Sequence, residues 1–273
     1  MTDIDPTVRR LADELDGAWA RMDLLDGTLT ARDGGLPMAT AQAVEAELVR
    51  RRRAAGHRTA GLKVGFANRA MWRILKLDTL IWAHMYDDTV HLTGGARRRH
   101  SLAGRRWPKI EVEIVFKLSK PIGPDTGDAA AVLSSVEWVA LGFEINDCVY
   151  PDWKYQPADL VAAYGLHTAL IVGAPRAIAP GDVDALAEFT VTIAQNGTVV
   201  ESGAGRNSLK NPALCLGELA AALSRQSLTP PLAAGDLVST GSLTPAPLIH
   251  AGETWTAEAD RLGLPPLVAE FWA

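Results

Sequence analysis

The sequence predicts an α+β fold, in which an N-terminal helical portion leads into a β-rich body. Three observations carry this. Apolar residues recur at three- and four-residue spacing through the first segments, the period of a helix with one buried face. From Asp87 onward, short runs of strand-forming residues dominate. No G-x-G-x-x-G follows a strand, so the fingerprint of a dinucleotide-binding α/β domain is missing.

The first helix is expected over about Pro6 to Leu25, with Val8, Leu11, Leu15, Trp19 and Met22 on one side. A polar break follows around Asp26 to Gly35. A second helix runs from about Thr40 to Ala54, with Ala41, Ala43, Val44 and Leu48 on its apolar side. Its arginine-rich end suits the helix dipole, and Gly56 is the stop. Thr59 to Phe66 reads as a strand bounded by glycines, and Asn68 to Lys76 as a short helix. Strands are then expected at Thr89–Leu92, Ile110–Leu118, Trp138–Asp147, Thr168–Val172, Phe189–Ala194, Thr198–Ser202, Leu237–Gly241 and Val268–Trp272. Asn196-Gly197 between two alternating runs is a type I′ hairpin signal. Helices are expected around Asp128–Ser135 and Pro212–Ser227. The division is an N-terminal helical subdomain over 1–60 and a β-rich domain over 61–273, joined as one continuous unit.

With 273 residues, 48% hydrophobic and 22% charged, the composition is that of a globular protein with a sizeable core. The two cysteines, Cys148 and Cys215, fit a reducing cytoplasm and exclude a thiolate zinc cluster. No secretory signal and no membrane span are expected. A net charge of −5 gives no electrostatic case for nucleic acid. The runs Arg50–Arg53 and Arg97–His100 read as solvated helix or loop ends.

The chemistry begins at Pro108–Phe116. In a strand, residues i and i+2 share a face, so Glu111 and Glu113 project together while Val112, Ile114 and Phe116 line the other side. Glu144 stands in a second apolar run, Trp138–Asp147. Three carboxylates on apolar strands are tolerable when a cation neutralises them, and a hard divalent ion with oxygen ligands, Mg²⁺ or Mn²⁺, is the natural candidate. Lys63, held between Gly61 and Gly65, is either an edge-strand lysine or an anion-binding and proton-donating group. Thr240, Gly241, Ser242 and Thr244 form a polar turn that reads either as turn chemistry or as a carboxylate-binding loop. His167 leads into an apolar strand, as a structural hydrogen-bonder or as an acid/base. His84 is a second candidate to hold water or substrate. Trp72, Trp82, Trp107 and Trp153 either pack the core or line an apolar pocket.

Taken in order, Gly-Leu-Lys-Val-Gly (61–65), Glu-Val-Glu-Ile (111–114), Gly-Phe-Glu-Ile-Asn-Asp (142–147) and Gly-Asp-Leu-Val-Ser-Thr-Gly-Ser-Leu-Thr (235–244) resemble the fumarylacetoacetate hydrolase superfamily. Within it they resemble the branch of 2-oxopent-4-enoate hydratases and 4-oxalocrotonate decarboxylases. The resemblance implies a mixed β-sheet roll or sandwich, with Glu111, Glu113 and Glu144 as ligands of Mg²⁺ or Mn²⁺. Lys63 is then turned toward the metal, and Asp147 joins Lys63 and His167 as a catalytic candidate. It implies a cytoplasmic homo-oligomer acting on a small 2-oxo or 1,3-dicarbonyl acid, able to associate with a pathway enzyme. The expected reaction is hydration through a metal-stabilised enolate. C–C bond hydrolysis and decarboxylation share that enolate, and a non-catalytic metabolite-binding protein is the alternative outside enzymes. The chain departs from the hydratase pattern at Ala162-Ala163-Tyr164, where Ala-Asp-Asn is usual, and again at Ile81–Asp88. The first departure favours the hydrolase alternative.

Overall fold

The computed structural model describes residues 4–95 and 97–273. In chain order it forms α1 (Pro6–Arg21), α2 (Met38–Ala54), β1 (Thr59–Gly65), α3 (Arg69–Leu75), β2 (Ile81–Tyr86), β3 (Val90–Leu92), β4 (Arg98–Ser101), β5 (Lys109–Leu118), α4 (Ala129–Leu133), β6 (Val136–Asn146) and α5 (Pro157–Ala162). There follow β7 (His167–Val172), β8 (Arg176–Ala177), α6 (Asp182–Glu188), β9 (Thr190–Gln195), β10 (Thr198–Ala204), α7 (Pro212–Ser224), β11 (Leu237–Ser239), β12 (Thr254–Ala259) and β13 (Leu267–Trp272).

Helix α1 starts where the Asp5 side chain accepts from the amides of Thr7 and Val8, with Pro6 at the first helical position. It buries Val8, Leu11, Ala12, Leu15 and Ala18 against a cluster shared with α2, α5 and residues 148–150. The arginine run that ends α2 is not simply solvated, as its sequence suggests. Arg51 reaches Glu47 on its own helix and Asp13 and Asp16 on α1, stapling the two helices together. The second basic run is a strand rather than a loop end: β4 pairs in parallel with β13. The Asn196-Gly197 hairpin forms between β9 and β10, with both residues at positive φ as a type I′ turn requires.

The strands make two sheets. The larger follows the order β2-β1-β11-β5-β6-β7-β3, with β8 also pairing β6; the smaller follows β10-β9-β12-β13-β4. One face of the larger sheet, with Val112, Ile114, Phe116, Val139, Leu141 and Phe143, shares the main core with the smaller sheet and α7. Strands β2 and β3 lie at opposite ends of the larger sheet yet are consecutive in the chain, so the sheet curls until its ends meet. The face turned away from the main core carries a small apolar cluster (Met85, Val115, Ala140, Leu170, Val172 and Leu237) and, beside it, the carboxylates.

Gly61 makes the β1–β11 contact possible. It sits at φ 149°, and a Cβ there would lie 1.8 Å from the Leu237 carbonyl oxygen. Gly61→Ala is therefore expected to cost about 3 kcal/mol or more, since backbone rather than a flexible side chain must yield. Chemical denaturation checks this; an unchanged midpoint would show that β11 can move aside freely.

Candidate active site

Strands β5 and β6 pair antiparallel, with Glu111 directly opposite Glu144 and Glu113 opposite Gly142. Like charges opposite one another destabilise a sheet unless a cation lies between them. Oxygen atoms of Glu111, Glu113 and Glu144 all come within 4.8 Å of one another. Glu113 and Glu144 are fully buried, while Glu111 is partly exposed on a cleft of about 460 Å³.

Each carboxylate is aimed by its neighbours. Glu113 Oε2 accepts from Ser239 Oγ at 2.5 Å and from the Gly241 amide at 2.9 Å. Its Oε1 is buried with no hydrogen-bond partner. Glu144 Oε1 meets His167 Nδ1 at 2.9 Å, and its Oε2 lies 3.1 Å from Lys63 Nζ. Lys63 reaches this point because β1 is in register with β11, Lys63 against Ser239, on the same sheet face as Glu113. Its ammonium also donates to the Gly165 carbonyl at 3.1 Å.

These contacts set the charges. Burial opposes the charge of Lys63, but Glu144, Glu111 and Glu113 outweigh it and hold the ammonium above the ordinary lysine range. Burial also works against ionisation of Glu144, yet Lys63 and His167 keep it below the usual carboxylate value. Glu113 has no such relief: burial, then the charges of Glu144 and Glu111, push it well above. Glu111 is raised by burial and Glu144 against the pull of Lys63. Three carboxylates and one ammonium leave two negative charges unbalanced, which one dication matches. The bare oxygen of Glu113, the all-oxygen donor set and the spacing fit a hard divalent ion.

The cleft above the carboxylates is walled by Phe66, Trp153, Tyr155, Asn146 and Asn207, with Ser242 and Thr244 at one side. Of the tryptophans considered from sequence, Trp153 lines this cleft, Trp72 and Trp82 are buried in the main core, and Trp107 is half-exposed beneath Arg106.

Other candidates stand elsewhere. The Thr240 hydroxyl is spent on the Ile114 carbonyl, and the Gly241 amide on Glu113 rather than on a ligand. His84 lies on the opposite face of the sheet from Lys63 and holds Glu45 of α2 at 2.7 Å, so it does not reach the carboxylates. Asp147 accepts from the amides of Arg106, Trp107 and Cys148, and so clamps a loop. Ala163 is buried and Tyr164 turns to Asp16 of α1, while the Gly165 carbonyl that follows accepts from Lys63. Sequence reasoning missed Ser239, Asn146, Tyr155 and Asn207. Ser239 was within reach, since it precedes the noted turn and shares a strand face with Glu113.

The family model described as fumarylacetoacetate (FAA) hydrolase C-terminal matches residues 84–266. The chain belongs to this family. Among its FAA hydrolase relatives, a 2-keto-4-pentenoate hydratase of Burkholderia vietnamiensis is 30% identical over 212 residues, 78% of either chain. A 4-oxalocrotonate decarboxylase of Pseudomonas sp. (strain CF600) is 30% identical over 227 residues, 83% of either chain. The solved structure of 4-oxalocrotonate decarboxylase from Pseudomonas putida G7, complexed with magnesium and adipate, superposes with a TM-score of 0.87 at 28% identity, covering 97% of each chain. The curled sheet and its helices are thus the FAA hydrolase fold.

Proposed function

We propose that this protein is a divalent-metal-dependent lyase that hydrates a small, unsaturated 2-oxo acid of the 2-hydroxydienoate type. The observation that carries the reading is the Glu111/Glu113/Glu144 cluster with Lys63 at the floor of an open cleft. Glu111, Glu113 and Glu144 would hold a divalent ion, Mg²⁺ or Mn²⁺, which would supply Lewis-acid polarisation of the 2-oxo group. Lys63 holds the anionic end of the substrate, and its position between Glu144 and Gly165 keeps its charged head in the cleft. It is also placed to move a proton at that end. His167 orients Glu144 and is itself fixed by Thr89 Oγ1 at 3.0 Å. Phe66, Trp153 and Tyr155 shield the substrate body from bulk water.

Decarboxylation is the second reading. It is favoured by the near-complete superposition on a decarboxylase. Incubation with Mg²⁺ and either 2-hydroxypenta-2,4-dienoate or 4-oxalocrotonate, followed by mass spectrometry, separates the two. We expect gain of one water from the dienoate; loss of CO₂ from the dioate would move the assignment to decarboxylase. Carbon–carbon scission of a 1,3-dicarbonyl acid would favour the hydrolase alternative, and inertness toward all of these would sink the lyase reading. The same reading places the protein in the cytoplasm as a homo-oligomer able to associate with a pathway enzyme. The two cysteines, buried and free, suit that compartment.

A further inference from the structure

Beyond the His167–Glu144 pair lies a second cleft that the lyase chemistry does not use. It measures about 310 Å³, within the range of small-ligand sites, and Trp19, Arg52, Tyr86, Arg105, Tyr164 and His167 are among its lining residues. Three of its lining residues carry a donor that the protein leaves unspent. Trp19 Nε1, Tyr86 Oη and Arg52 Nε are shut off from water and have no hydrogen-bond partner. Such groups are rare in folded proteins. The Arg105 side chain makes no hydrogen bond or ion pair among the described residues. Burial, eased by Asp147 at longer range, holds its guanidinium below the ordinary arginine value.

The acids nearby are already engaged. Asp16, the one carboxylate among the described residues lining the cleft, accepts from Tyr164 Oη at 2.7 Å and from Arg51 Nη1 at 2.9 Å. Asp88 takes Arg52 Nη2 at 2.5 Å, leaving the Nε of that guanidinium bare. The remaining surface is largely aromatic. Trp19 and Tyr164 meet edge to face with centroids 6.4 Å apart, and Arg52 stacks 4.3 Å over the Tyr86 ring. Unspent donors and two guanidinium groups select an anion, and aromatic faces select a planar body.

We propose that this cleft is a second binding site, taking a small organic carboxylate with a flat, unsaturated body. Arg105 and Arg52 meet the carboxylate, and Trp19 and Tyr164 cover the body. The site adjoins the metal centre through one side chain on each side of the His167 ring. Thr89, which also lines the cleft, holds Nε2 at 3.0 Å, while Glu144 holds Nδ1 at 2.9 Å. The proposal does not rest on the lyase reading, because it concerns binding alone.

Benzoate is the probe, benzamide its uncharged control, and titration calorimetry of the full chain with Mg²⁺ the measurement. We expect benzoate to bind with a Kd below about 10 mM and benzamide not to bind. Arg105→Gln is expected to weaken benzoate about tenfold or more, the worth of one charge-assisted contact. Lys63→Met, whose side chain does not line this cleft, should leave benzoate binding unchanged when Mg²⁺ is saturating. Tyr86→Phe is the second variant should Arg105→Gln fail to fold, and it is expected to weaken benzoate as well. No benzoate binding, equal binding of benzamide, or loss of binding in Lys63→Met but not in Arg105→Gln would each overturn the proposal.

Discussion

Changing Glu113 to glutamine is expected to abolish the response to Mg²⁺ and to lower turnover by well over a hundredfold. Loss of a group that merely supports a ligand costs about 10–100-fold, and Glu113 is placed as a ligand itself. The same change should stabilise the metal-free protein at neutral pH. Burial with Glu144 and Glu111 nearby raises the Glu113 carboxyl above its ordinary value of 4.5. The folded chain therefore binds a proton more tightly than the unfolded chain does. Stability is fully retained below about 4.5 and declines as pH rises toward the folded value. Glutamine removes that decline. Thermal unfolding of both proteins in EDTA should show equal midpoints under acid conditions and a higher midpoint for the variant at neutral pH. Adding Mg²⁺ should then raise only the parent protein. If the variant still responded to Mg²⁺ as the parent does, Glu113 would not be a ligand.

Lys63→Met is expected to lower kcat by about 10²–10⁴, the usual worth of a positioned proton donor. Its effect on stability should depend on the ion. Lys63 and Glu144 are both buried, and removing one partner of such a pair costs about 3–5 kcal/mol when the other charge is left unmatched. A bound dication takes over that compensation, so saturating Mg²⁺ should recover most of the loss. Paired unfolding curves with and without Mg²⁺, together with steady-state kinetics, check both halves. A kcat within about threefold of the parent would leave Lys63 a structural counter-ion only.

The alternation around Glu111 and Glu113 is legible because one side of β5 must be apolar throughout: Val112, Ile114 and Phe116 are fully buried. The pairing of Glu111 with Glu144 is not legible, since register belongs to two strands at once. Strand β2 escapes notice because all six of its residues are buried, leaving no alternation to read. Strand β4 escapes because its four residues are basic or polar and gain their place only by pairing with β13. Helix α5 is six residues long and wholly buried, too short to show a period. Strand β12 does alternate, with Trp255, Ala257 and Ala259 inside, but two of these three inward residues are only alanines.

In the site, residue type is what sequence conveys and direction is what it withholds. Asp147 is one residue from Asn146, which lines the cleft, yet it lies just past the end of β6, where backbone amides claim it. His84 is next to Ala83, which stands opposite Lys63, and the two-residue period of β2 turns it away.

The register that brings Lys63 to the carboxylates also orders events in time. The acidic cluster belongs to β5 and β6, neighbours in the chain that pair through a short excursion. Its counter-charge arrives by another route: β1 is linked to β5 through β11, which pairs Gly61 with Leu237 near the far end of the sequence. Loop closure over that separation is slow compared with pairing of neighbouring strands. During synthesis, the ribosome delivers the lysine first, the three glutamates next, and the strand that unites them last. A newly paired β5–β6 therefore carries its repulsion without relief from Lys63 until most of the chain has emerged.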